Sequence, residues 1–77
     1  MYLDCLWDDW NTEKLASHDV TIEEFEEAVL VARRIVRSTS TNRPGCFAHV
    51  RGRLLRCVWE EIDESTIYPI TAFEVEQ

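Results

Sequence analysis

Apolar positions change their period along this chain, and each change marks an element. Tyr2-Leu3-Asp4-Cys5-Leu6-Trp7 alternates loosely and predicts a short edge strand at the N-terminus. Asp8 then offers a helix cap, with Asp9 and Glu13 placed where the helix dipole favours anions, and a short helix is expected through Ala16. Ser17-His18-Asp19-Val20 breaks it. Thr21-Ile22-Glu23-Glu24 is a capping box, Thr at the cap and Glu three residues on, and it opens a second helix. Ile22, Phe25, Ala28, Val29 and Ala32 form one apolar stripe on that helix, opposite Glu23, Glu24, Glu26 and Glu27.

After Ala32 the pattern becomes that of strands. Arg34 to Thr39 is rich in β-branched residues, and Thr41-Asn42-Arg43-Pro44-Gly45 reads as a turn or loop. Cys46 to Val50 and Arg53 to Glu60 read as a hairpin joined at Arg51-Gly52, with Val50 opposing Arg53, Ala48 opposing Leu55 and Cys46 opposing Cys57. One face then carries Cys46, Ala48, Val50, Leu55, Cys57 and Trp59; the other carries Phe47, His49, Leu54, Arg56 and Val58. Glu61 to Ser65 is the next turn and Thr66 to Phe73 the last strand, in which Pro69 signals an edge or a bulge. The predicted fold is α+β: a short N-terminal strand, two helices, then a four-stranded antiparallel meander with the helices packed on one face.

With 77 residues the chain is expected to form one domain over 1–77, since so short a chain buries only about 60% of its unfolded surface. An apolar share of 45% with only two Gly and two Pro excludes a low-complexity or disordered chain. The longest uncharged apolar run is Ala28 to Ala32, far short of the roughly 20 residues that span a bilayer, so no membrane association is expected. The start, Met1-Tyr2-Leu3-Asp4, has neither a basic region nor a long apolar stretch, which predicts no secretory signal and a cytoplasmic protein.

Charge is segmented. Residues 1–32 hold nine acids against Lys14, residues 33–58 hold seven Arg and no acid, and residues 59–77 hold six acids and no base. The net charge of −7 speaks against nucleic acid, whose binding is driven by Lys and Arg, but the basic middle third does not. Those arginines either pair with the flanking acids across the fold or line a phosphate groove. The three cysteines, Cys5, Cys46 and Cys57, have no metal-ligand spacing and no His placed to activate them, so they read as small reduced hydrophobes.

Trp7-Asp8, the short helix, His18-Asp19-Val20-Thr21, Glu23-Glu24 with its acidic amphipathic helix, Gly52-Arg53-Leu54-Leu55 and the ending Tyr68-Pro69-Ile70-Thr71-Ala72 together resemble the BrnT family of toxin–antitoxin toxins. The likeness covers most of the chain, strongest over residues 7–29 and 52–72 and weakest over 37–50. It implies a RelE-like ribonuclease fold, cleavage of RNA without metal or other cofactor, and a partner antitoxin. In such chemistry basic side chains take up the ribose 2′-OH proton and neutralise charge gathering on the phosphate.

The departures are specific. The family commonly has a basic residue where this chain has Ser17, Gly where it has Asp19, and Arg after Ile-Thr-Ala where it has Phe73. On the resemblance, the remaining catalytic candidates are His18, Arg53 and Arg56, and the RNA-binding candidates are Arg34, Arg37 and Lys14. Each has a plainer reading. A His between two helices usually bonds local backbone, an Arg opening a hairpin is usually solvated, and Glu60 or Glu61 is available to pair with Arg56. Trp7 and Trp59 are more often core than stacking platforms. Two functions follow: a toxin-related ribonuclease with weakened or lost activity, or a non-catalytic module that binds a protein partner through the same sheet.

Overall fold

The structure, a computed structural model, describes residues 4–38 and 40–76. In chain order it contains β1 (Asp4–Cys5), α1 (Asp9–Ser17), α2 (Ile22–Val31), β2 (Val36–Arg37), β3 (Pro44–Val50), β4 (Arg53–Glu61) and β5 (Thr66–Glu74). The strands form one mixed sheet in the order β1-β5-β4-β3-β2, with β1 parallel to β5 and the other neighbours antiparallel. The fold is thus α+β, with two helices and five strands among the described residues.

Each helix is started by a reciprocal cap. The Asp8 carboxylate accepts the Asn11 N–H at 2.9 Å while Asn11 Oδ1 accepts the Asp8 N–H at 2.9 Å. The Asn11 N–H, and after it the Tyr68 hydroxyl at 2.8 Å, hold the Asp8 carboxyl below its ordinary pKa. Asn11 is fully buried, and its amide N–H groups donate to the carbonyls of Leu6 at 2.8 Å and Pro69 at 3.1 Å. One side chain therefore ties the exit of β1, the start of α1 and the middle of β5. In α2 the Thr21 hydroxyl accepts the Glu24 N–H at 3.1 Å and Glu24 accepts the Thr21 N–H at 3.0 Å. Glu24 is buried, and these bonds, the Thr21 amide first, keep its carboxyl below the usual range.

The hairpin has the register its sequence predicts: Val50 opposes Arg53, Ala48 opposes Leu55 and Cys46 opposes Cys57. Arg51 at φ 52° and Gly52 at φ 80° are both left-handed, the two-residue turn whose twist matches the strands it joins. The face carrying Cys46, Ala48, Val50, Leu55, Cys57 and Trp59 is buried under Leu15 of α1 and Phe25 and Ala28 of α2. Phe25 lies at its centre, edge-on to Trp7 at 5.4 Å and to Trp59 at 6.3 Å between ring centroids.

Several boundaries differ from the sequence reading. The N-terminal strand is only Asp4–Cys5; Leu6 and Trp7 lie outside it, and Tyr2 and Leu3 lie outside the described residues. The strand expected over 34–39 is only Val36–Arg37, with Thr39 outside the described residues. Ala32 leaves α2 in an extended conformation, and the chain reaches the sheet only where Val36 meets Gly45. Pro44 and Gly45, read as loop, begin β3. Proline is tolerated at the first residue of a strand, where its missing N–H costs least. In β5, Trp59 opposes Pro69 and Val58 opposes Thr71, so Ile70 is the extra residue of a bulge. The bulge resets the alternation: Ile67 and Pro69 point into the core before it and Ala72 after it.

Candidate functional site

That reset decides which side chains share the outer face of the sheet. With Ala72 turned inward, Phe73 is turned outward, and it stands opposite Arg56, which in turn stands opposite Phe47. Phe47 and Phe73 are both exposed. The Arg56 guanidinium carbon lies 4.9 Å from the centre of the Phe47 ring, and its Nη1 donates to the Cys57 carbonyl at 3.0 Å. Gly45 makes room for this, since a Cβ there would collide with the Cys57 carbonyl and the Arg56 guanidinium. Neither Glu60 nor Glu61 pairs with Arg56; they take Arg43 at 3.0 Å and Arg37 at 3.1 Å. Among the described residues Arg56 makes no ion pair.

His18 reaches the same strip from the far edge. Its ring centre is 6.0 Å from that of Phe73, and its N–H caps α1 on the Leu15 carbonyl at 3.0 Å. Asp19, where the resemblance expects Gly, has φ 61°. That left-handed position is free for Gly and tolerated by Asp, which explains why the departure leaves the turn intact. His18, Phe73, Arg56 and Phe47 thus form a continuous strip from the end of α1 across β5 and β4 to β3. A half-buried cation between two exposed aromatic rings suits a planar or anionic ligand, a nucleobase beside its phosphate being one.

The other predicted residues are not gathered with it. Arg53 is three positions from Arg56, so the pleat turns it toward the helices. There it holds Glu24 at 3.0 Å through Nη1 and Glu74 at 3.0 Å through Nε. Arg37 is held by Glu61 and by the Asn42 carbonyl at 3.1 Å, and Arg51 lies 3.6 Å from Glu27. Lys14 is exposed on α1, one turn before His18. Arg34 is exposed beyond α2 and lines a groove with Arg33, Phe47 and His49, so Phe47 borders both the strip and the groove.

The thiols are not poised as nucleophiles: the Cys46 pKa is lowered by the facing Cys57 but the side chain is wholly buried, and the other two are raised. Burial pushes Cys5 up to about 11, with Glu26 and Asp4 adding to it, and Cys57 is raised by the facing Cys46 and by burial. The described residues contain no cluster of three or more His, Cys, Asp or Glu suited to a metal ion, and no helix long and apolar enough to cross a membrane. The sequence reading has Phe47 only as a face neighbour of Arg56 and Phe73 only as a departure from the family pattern, and counts neither as a site residue. Their signal was present in register, since both stand opposite Arg56 once the hairpin and the bulge are counted. No family model, curated protein or solved structure matches the chain.

Proposed function

We propose that the chain is a toxin-related protein of BrnT type, with a RelE-like meander, that meets RNA on the outer face of its sheet and has weak or no cleaving activity. The observation that carries this reading is the placement of Phe73 between Arg56 and His18. A phosphoryl transition state there finds one guanidinium and one imidazole, and an apolar ring where a second cation would neutralise the accumulating charge. Each missing group of that kind is worth about 10²-fold or more in rate. Cleavage on this scheme uses no metal and no cofactor, and a protein antitoxin is the partner the reading implies. The purified protein is expected to leave a single-stranded transcript intact over hours, while Phe73→Arg cuts it measurably. Efficient cutting by the wild type, abolished in Arg56→Ala and His18→Ala, would show that Phe73 does not limit the chemistry.

A second reading, a non-catalytic protein-interaction module, is favoured by a different observation. Arg37, Arg43, Arg51 and Arg53 are all engaged by carboxylates, which leaves little of the basic segment for a polyanion. Absence of RNA binding in low salt, by wild type and Phe73→Arg alike, would favour it.

A further inference from the structure

Beyond Gly45, no strand among the described residues covers the outer edge of β3. In an antiparallel ladder closed by a two-residue turn, Val50, Ala48 and Cys46 exchange hydrogen bonds with β4, and the residues between them turn their backbone groups the other way. The neighbours bear this out: the Arg43 carbonyl accepts the Ser38 N–H at 3.0 Å, and Gly45 faces Val36. The ladder with β2 then stops, because β2 is two residues long and opposes only Pro44 and Gly45. Phe47, next in that alternation, faces no strand among the described residues.

Beside this edge lies a groove of about 500 Å³, walled on one side by β3 and on the other by the segment leaving α2. Val31 and Phe47 are its exposed apolar borders, and Arg33 and Arg34 are its charged ones. Among the described residues, neither arginine makes an ion pair, in a chain where four of the seven Arg do. The Phe47 backbone, which no described strand covers, an apolar wall and two guanidiniums without an ion pair among the described residues thus lie together.

We infer that this groove takes an extended segment of a protein partner in which apolar and acidic residues alternate, added as a strand along β3 with its carboxylates on Arg33 and Arg34. Strand addition gives affinity through main-chain hydrogen bonds and selectivity through alternate side chains. Charge and backbone together decide among the occupants. A second copy paired edge to edge would bring these arginines of both chains together, which is repulsive. An RNA strand has no peptide groups for the ladder, so the open backbone of β3 gives it nothing, whereas an extended peptide can use that backbone and both arginines together. The inference rests on the groove alone, so loss of the RNA reading leaves it standing.

The test uses the full chain and a fluorescein-labelled peptide of alternating Val and Glu, followed by anisotropy in low salt. Saturable binding is expected, with the Phe47 amide exchanging more slowly in the bound state. N-methylation of the peptide at alternate residues should weaken binding about tenfold or more, the loss of at least one good hydrogen bond. Arg33→Glu with Arg34→Glu should weaken it at least as much; both residues are exposed, and an unchanged amide spectrum verifies the fold. The inference is overturned if the N-methylated peptide binds equally well, if a Val-Lys peptide matches the Val-Glu one, or if nothing binds at millimolar peptide. It is equally overturned if sedimentation shows a dimer whose formation blocks the peptide, or if a single-stranded RNA oligomer still competes the peptide off in Arg56→Ala, where the neighbouring strip has lost its cation.

Discussion

The two faces of the sheet treat charge in opposite ways. On the inner face every buried charged or amide group is answered: Glu24 has Thr21 and Arg53, and Asn11 has Asp8, Leu6 and Pro69. On the outer face Arg56 is left against an aromatic ring and a carbonyl, between two exposed phenylalanines. A buried group without a partner costs about 1–3 kcal/mol, so the inner arrangement is what folding requires of it. Arg56 is half-buried and already has a carbonyl for its Nη1, so it carries a smaller demand, and the exposed rings on either side of it are free to meet a ligand. The faces should therefore separate under mutation, inner substitutions costing stability and outer ones costing ligand.

The largest loss is expected for Phe25→Ala, where a ring held between Trp7 and Trp59 is replaced by a cavity at about 3–5 kcal/mol. Chemical denaturation measures it, and a change below 1 kcal/mol would mean that the site collapses freely. Next comes Asn11→Ala, which strips partners from the Leu6 and Pro69 carbonyls and from the Asp8 N–H, at roughly 1–3 kcal/mol. Thr21→Ala removes the α2 cap for about 0.5–2 kcal/mol. A stability unchanged in Thr21→Ala would show that Glu24 holds that helix end unaided.

Acid separates the faces too. The carboxyls of Glu24 and Asp8 have folded pKa values below their unfolded ones, so the stability they contribute is fully present above the unfolded values of about 4. It is lost as pH falls through the folded values. Urea midpoints taken downward from pH 5 should therefore drop, and Glu24→Gln, which removes the titrating carboxyl, should flatten that drop while Arg56→Ala leaves it alone. Equal slopes in all three proteins would place the acid sensitivity elsewhere.

How much of this was legible in the sequence depends on range. The caps at Asp8 and Thr21, the α2 stripe and the hairpin register rest on neighbours a few residues apart, and the structure has them. Asn11 was unread because its partners Leu6 and Pro69 are brought to it only by the fold. The short β2 was misjudged because β-branched content says nothing about where the chain, leaving Ala32, arrives at the sheet. Among the candidate residues, Arg53 and Arg56 were grouped by charge, although a spacing of three on a strand puts them on opposite faces. The place of Phe73 beside Arg56 depends on the bulge at Ile70, which Pro69 hinted at without fixing the register.

The division between the faces is tested most directly by Arg56→Ala, measured twice on the same preparation. Its unfolding free energy should change by no more than about 2 kcal/mol, the scale of a half-buried cation–π contact. Its affinity for a single-stranded RNA oligomer in low salt should fall about tenfold or more, as expected for loss of a charged hydrogen-bonding group. The opposite pattern, a large loss of stability with RNA affinity unchanged, would make Arg56 a structural residue and remove the outer strip as a site.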